Sequence, residues 1–251
     1  MNKKIVLISG SSKGLGATMA RAFIKNNYKV AINFFKSESE AKILEAELGD
    51  DSKAFYCDVS NSQDVSNLIL DINESFKGLP SVLVNNAIPK YIFNGDDRKL
   101  AEEISWQEIQ NHLDVTLKGS LNLIQNLIPS MKENSYGRII NIGTNLVQNP
   151  VVPYHDYTIA KAALLGLTRT FAKDLGQMGI TVNMVSGGLL RTTDASAATP
   201  DFVFDAIADM TPLKKVTTIE EFSDAVLFFA SDKSRSITGQ NLTVDGGLTF
   251  N

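Results

Sequence analysis

Apolar positions along the chain follow two alternating rhythms. Short, mostly apolar runs at 5–8, 29–34, 53–57, 82–84, 138–142, 181–185 and 241–244 predict strands buried on both faces. Residues 17–26, 37–48, 62–76, 106–127, 157–175 and 218–230 instead carry apolar residues at helical period, with a shorter such stretch at 202–209. No internal repeat, low-complexity tract or obvious linker divides the chain. That order predicts an α/β protein: one domain over residues 1–251, with a doubly wound parallel sheet of about seven strands and helices on both faces. Two stretches break the rhythm. Residues 88–104 are polar and irregular, forming either a loop over a site or a surface excursion. Residues 191–200, rich in Thr, Ala and Ser, predict a mobile lid spanning about 187–212.

Composition narrows the class. At 251 residues, 43% hydrophobic and 21% charged, the chain has the make-up of an ordinary globular protein with a substantial core. A formal net charge of -4 without a basic cluster argues against a nucleic-acid surface. Cys57 is the only cysteine, so no intramolecular disulfide forms, and its place at the end of a strand predicts a buried structural thiol. No apolar run reaches membrane-spanning length, and the N-terminal apolar run is too short for a signal peptide. A cytoplasmic protein is the expectation.

Candidate chemistry begins where the first strand ends. Ser9-Gly10-Ser11-Ser12-Lys13-Gly14-Leu15-Gly16 joins a strand to a helix, the context in which glycines let backbone approach a pyrophosphate and a helix N-terminus offers N–H groups to it. At the end of the second strand an acid would accept hydrogen bonds from an adenosine ribose and repel a 2′-phosphate. This chain has Phe34-Phe35-Lys36 there. Lys36 and Lys13 can supply cations to a 2′-phosphate, so NADP is favoured over NAD. Asp58-Val59 follows the third strand, where the carboxylate either meets an adenine amino group or caps the next helix in competition with Ser60 and Ser62. Asn85-Asn86-Ala87 lies at the C-terminal edge of the fourth strand, the edge at which open α/β sheets bind ligands. Tyr157 and Lys161 stand four apart in a helical run and therefore share a face. A cation beside a phenol favours the phenolate and makes the pair a candidate general acid/base.

These motifs, in this order, resemble the short-chain dehydrogenase/reductase family, close to its 3-oxoacyl-(acyl carrier protein) reductase branch. The resemblance rests on the 10–16 glycine loop, Asp58, Asn85-Asn86-Ala87, Thr144, Tyr157 with Lys161, Gly188 with Thr192, Thr238-Gly239-Gln240 and Asp245-Gly246-Gly247. It covers nearly the whole chain. It implies a Rossmann-type fold and hydride transfer between a nicotinamide and a carbonyl carbon. By resemblance, Tyr157 exchanges the proton, while Lys161 lowers the tyrosine pKa and holds the nicotinamide ribose. Thr144 takes the place of the family's substrate-binding serine. Thr116 stands where the family has an asparagine supporting a water-linked proton path. Gly10, Ser12, Lys13, Gly14, Leu15, Gly16, Phe34, Lys36, Asp58, Val59, Asn86, Ala87, Gly188 and Thr192 become the cofactor contacts, the last to the carboxamide.

The same resemblance implies a substrate carried on acyl carrier protein or coenzyme A, as in fatty acid biosynthesis, and a homotetramer or dimer assembled through helices near 106–127 and 160–175. An alcohol or ketone dehydrogenase of another pathway, or a non-catalytic nucleotide-binding regulator, are the alternatives. Ile88 replaces a customary glycine and adds bulk beside the nicotinamide ribose. Gly187-Gly188 replaces a customary Pro-Gly and should loosen the lid hinge. His112 reads as a surface or interface residue, His155 as a polar loop histidine without a catalytic part, and Trp106 as the residue that starts and packs the long helix. Two histidines and one cysteine make a metal site improbable.

Overall fold

The computed structural model describes residues 3–93, 98–191, 196 and 199–250. Seven strands form one parallel sheet in the order β3-β2-β1-β4-β5-β6-β7. They are β1 (Ile5–Ile8), β2 (Lys29–Phe34), β3 (Ser52–Tyr56), β4 (Val82–Asn85), β5 (Gly137–Thr144), β6 (Ile180–Gly187) and β7 (Asn241–Val244). The register is continuous, with Val6 beside Val30 on one side and Val82 on the other. Chain direction around the sheet reverses between β1 and β4, and that switch point opens a crevice at the strands' C-terminal ends.

Side chains alternate across each strand, so the sheet feeds two core layers. Val6 and Ile8 pack with Phe23, Phe222 and Phe229. Ile5 and Leu7 pack with Leu68, Leu123 and Leu175 on the other face. The helices supplying the first layer include α1 (Gly14–Lys25), α2 (Glu38–Leu48) and α8 (Ile219–Ala230). The second draws on α3 (Ser62–Phe76), α5 (Gly119–Glu133) and α6 (His155–Leu175). Each fully buried Leu or Phe contributes about 1.5–3 kcal/mol. Every residue of β5 and β6 is buried, and both strands run past their predicted ends to pair Thr144 with Gly187 at the crevice.

Several local expectations are corrected. The stretch 106–127 is not one helix: α4 (Trp106–Leu113) passes through a π-helical turn, Asp114–Lys118, into α5, which continues through Pro129 to Glu133. Gly119 marks the close approach, because a Cβ there would lie 2.6 Å from Val59 Cγ2. Trp106 starts α4 but is 67% exposed, so it does not pack it; a Ser105/Glu108 capping box fixes that end instead. Asn61, rather than Asp58, Ser60 or Ser62, caps α3. Cys57 is buried, and burial first, then Asp64 and Asp58, push its thiol up to about 12. Of the lid segment, α7 (Asp201–Met210) forms as expected. No described helix is long and apolar enough to cross a membrane.

Candidate active site

The glycine loop is held from beneath by three polar side chains. Ser9 Oγ accepts from the backbone N–H groups of Asn86 and Ala87 at 2.9 and 3.0 Å. The Asn86 amide donates back to Ser9 O and Gly10 O. Asn33 Oδ1 accepts from Gly10 N at 3.0 Å while its Nδ2 donates to Cys57 O. Asn33 was not among the sequence candidates; its signal was a lone amide in a buried apolar strand, where it needs partners. Gly10 and Gly14 have φ of 61° and 54°, and a Cβ on Gly16 would fall 2.4 Å from Gly10 O. No side-chain cap closes the N-terminus of α1 at Lys13. A concave, backbone-lined turn below an uncapped helix end suits a pyrophosphate.

At the far end of this crevice β2 ends without an acidic residue. Phe34 is buried and packs edge-on against Tyr56 at 6.1 Å. Lys36 is exposed, its ammonium 5.3 Å from the Phe35 ring, and Lys13 is exposed too. Asp58 is half-buried and its Oδ1 accepts from Ser60 N and Oγ, while Val59 is buried beside α5. Ser12 and Leu15 are half-buried along the loop.

Tyr157 and Lys161 occupy the first two turns of α6, both buried. Lys161 Nζ donates to Ile142 O at 2.6 Å, and burial brings its pKa down to about 7. Burial pushes Tyr157 up to about 12, with a hydrogen bond from the Thr144 hydroxyl acting in the opposite direction. The expected lowering by Lys161 is therefore absent from this form: the amine stands 5.7 Å from the ring centroid and faces a β5 carbonyl. Thr116 lies in the π-helical turn, 1% exposed. Its carbonyl accepts from Ser120 Oγ, and its own Oγ1 is buried without a partner among the described residues.

Beside Thr144, Asn145 Nδ2 donates to Asp245 Oδ2 at 3.0 Å, so the Asp245-Gly246-Gly247 motif braces this corner. Gly188 lies against both: a Cβ there would be 3.1 Å from Asp245 Cβ and 3.2 Å from Asn145 Nδ2. Gly187 is not a loosened hinge. It is buried, paired with Thr144 and Val244, and a Cβ on it would meet the Phe222 ring at 3.0 Å. Close approach, not flexibility, is what this glycine permits. Thr192, with residues 193–195, 197 and 198 of the expected lid, lies outside the described residues.

The substrate side holds what sequence reasoning missed. His112 is not on the surface: it is 2% exposed, with Nδ1 3.1 Å from Asp156 Oδ2. Tyr91 OH donates to Asp156 Oδ1 at 3.2 Å, and the Tyr91 ring stacks on Tyr157 with centroids 5.5 Å apart. Phe93 and Tyr154 complete an aromatic cluster, against which Ile88 packs. His155 is the first residue of α6 rather than part of the loop. Only Asp156 carried a sequence signal, an acid in a helix's first turn, and that pointed to the helix dipole.

Comparison with known proteins agrees with this geometry. The family model described as "Enoyl-(Acyl carrier protein) reductase" matches residues 10–249. A 3-oxoacyl-[acyl-carrier-protein] reductase of Staphylococcus epidermidis is 34% identical, with 99% of each chain covered. A 3-alpha-(or 20-beta)-hydroxysteroid dehydrogenase of Mycobacterium bovis is 35% identical, covering 97% of this chain and 88% of its own. The crystal structure of a gluconate 5-dehydrogenase from Burkholderia cenocepacia, in complex with NADP and tartrate, matches with a TM-score of 0.88 at 26% identity, over 99% of this chain and 96% of that one. The chain belongs to the short-chain dehydrogenase/reductase family of NAD(P)-dependent oxidoreductases.

Proposed function

We propose that this oxidoreductase is an NADPH-preferring carbonyl reductase whose substrate is a 3-oxoacyl thioester carried on acyl carrier protein or coenzyme A. The observation that carries the reaction class is the buried corner at which Thr144, Tyr157 and Lys161 converge, at the same sheet edge as the glycine loop with β4 between them. The thioester follows from the Staphylococcus epidermidis relative, alike over its full length. Gly10, Gly14, Leu15 and Gly16 would cradle the pyrophosphate, Asp58 and Val59 would border the adenine, and Asn86, Ala87 and Gly188 would border the nicotinamide half. The dinucleotide, when bound, supplies the hydride.

The chain's own residues manage the proton. Thr144 donates to the substrate oxygen and holds it in line with Tyr157. The Tyr157 hydroxyl gives its proton to the alkoxide as it forms, a transfer made easier by the alkoxide's high basicity. Lys161, with its amine on Ile142 O, sits where a proton reaching it makes the ammonium that favours phenolate. Thr116, whose hydroxyl has no partner among the described residues, offers a place for a water on the path to Lys161.

The 2′-phosphate preference rests on buried Phe34 in place of an acid and on exposed Lys13 and Lys36. In a fluorescence titration NADPH should bind about tenfold more tightly than NADH, as one charge-assisted contact allows. Equal affinity would remove the preference. Exposed Trp106 on α4 and Ile159 on α6 favour a homo-oligomer, tetramer or dimer, which light scattering tests.

A second reading is favoured by the aromatic cluster of Tyr91, Phe93 and Tyr154, which suits a ring-bearing ketone or alcohol. The deciding assay is NADPH consumption with acetoacetyl-coenzyme A and a ketone panel, run beside Tyr157→Phe. Tyrosine-dependent consumption ranked highest for the thioester supports the first reading. A ring ketone ranked highest replaces it with the second.

A further inference from the structure

The phenol ring of Tyr157 is walled by groups that a simple packing requirement would not select. Tyr91 lies parallel to it, at 5.5 Å and 22°. His112 meets it edge-on at 5.9 Å and 81°, and Phe93 does so at 5.3 Å and 88°. Tyr91 and His112 also contact each other edge-on at 4.9 Å. Two of these three walls are tied to one carboxylate: Asp156 Oδ1 accepts from Tyr91 OH at 3.2 Å, and Oδ2 faces His112 Nδ1 at 3.1 Å.

Asp156 immediately precedes Tyr157, and the backbone N–H of Tyr157 also meets its carboxylate. Burial works against ionisation of Asp156, but His112, that backbone N–H and Tyr91 outweigh it and hold its pKa below the ordinary value. An ionised carboxylate only accepts, so Nδ1 of His112 carries a hydrogen directed at it. His112 Nε2 is then left buried with no partner among the described residues, a cost that apolar side chains of similar size would avoid. Around the cluster, the Arg98 guanidinium lies 3.7 Å over Tyr91 and 5.5 Å from Tyr154.

We propose that Asp156, clamping Tyr91 and His112 against two sides of Tyr157, is a positioning residue that fixes the direction of the Tyr157 hydroxyl and so governs the chemical step rather than dinucleotide binding. This rests on the reading of Tyr157 as the proton donor. A ring held on two sides keeps its hydroxyl aimed at one point, and a misplacement of about 1 Å costs on the order of a hundredfold in rate.

The test uses Asp156→Ala, Asp156→Asn and Tyr91→Phe in the full chain. With acetoacetyl-coenzyme A or the best ketone of the panel, Asp156→Ala should lower kcat about ten- to a hundredfold, with KM and the NADPH Kd changed less than about twofold. Asp156→Asn, which keeps the shape and one acceptor, should recover part of the loss. Tyr91→Phe, which keeps the stacking and removes one bond, should lose least. A second readout needs no substrate: in protein labelled with 13C at the tyrosine ε carbons, the Tyr157 signals, assigned by their loss in Tyr157→Phe, should be separate in the native protein. They should merge in Asp156→Ala as the ring flips faster. Unchanged kcat and an unchanged ring-flip rate would overturn the proposal, as would a loss shared equally by kcat and NADPH affinity without recovery in Asp156→Asn. If Asp156→Ala does not fold, the other two variants decide by the same readouts. Should no carbonyl compound be turned over at all, the proposed function fails and control of the chemical step fails with it, while the ring-flip comparison still decides whether Asp156 clamps the Tyr157 ring.

Discussion

The two halves of the crevice are built from different materials. Around the glycine loop, backbone groups do the shaping: Gly10 N, Ser9 O, Gly10 O and the N–H groups of Asn86 and Ala87 are knitted together by Ser9, Asn33 and Asn86. Around Tyr157, side chains do it: Tyr91 from the loop after β4, His112 from α4 and Asp156 from α6 meet only because the fold brings them together. In the first half the turn itself is written in one short run, 9–16, although the bonds that brace it join residues 23 to 78 apart. The second depends on contacts 44 and 65 residues apart in the chain. One half can therefore be damaged by a single methyl group, and the other by the loss of a single polar atom.

The sharpest separation of the two halves comes from Tyr157→Phe. It removes one oxygen from the side-chain half and leaves the glycine loop untouched. Turnover should fall about a thousandfold, the scale of a lost positioned acid, while NADPH affinity stays within about twofold. Stopped-flow turnover beside a binding titration checks both. Full activity in this variant would remove the catalytic assignment.

Gly16→Ala tests the opposite half. Its Cβ would fall 2.4 Å from Gly10 O and 2.7 Å from Ser11 Cα, so backbone must move. NADPH affinity should drop about tenfold or more, and with it kcat/KM, while the Tyr157–Tyr91–His112 cluster keeps its near-ultraviolet circular dichroism. A variant that bound NADPH normally would show that the turn adapts, and the contrast between a rigid backbone half and a side-chain half would weaken.

The same contrast explains what could be read from the chain beforehand. The sheet, its order of strands and helices, and the glycine turn follow from local pattern, because apolar runs and glycines act on their immediate neighbours. Thr144, Tyr157 and Lys161 were reachable by their resemblance to an ordered set of motifs, and the structure places them at one corner. His112 was misread because nothing in its own neighbourhood announces burial; α4 is short, and the partner that makes the burial tolerable lies on α6. The break in 106–127 was hidden for a similar reason. The apolar period runs on through the π-helical turn, whereas the close approach of Gly119 to Val59 is a tertiary event. Gly187 looked like a hinge because sequence shows its freedom and not the Phe222 ring against it.

Lys161 stands at the seam between the halves, with its amine on a β5 carbonyl and its helix under the aromatic cluster, and its titration gives the most specific effect. Burial brings its pKa down to about 7, against an ordinary 10.5. Above pH 7 the folded chain gives up this proton while the unfolded chain keeps it. The unfolded state then binds more protons, so stability rises with pH through that window. Cys57, pushed up to about 12 from 9.0, acts in the reverse sense once pH passes about 9, since the unfolded thiol ionises first. Tyr157, raised to about 12 from 10.0, adds to that reversal above pH 10. The clean window is therefore about pH 7 to 9, over which Lys161 should contribute on the order of 2 kcal/mol. Denaturant melts of the NADPH-free protein at pH 7, 8 and 9 should show that rise, and Lys161→Met should flatten it. An equal slope in both proteins would mean that the amine remains an ammonium in the folded state, and that the corner around Ile142 solvates charge better than its burial indicates.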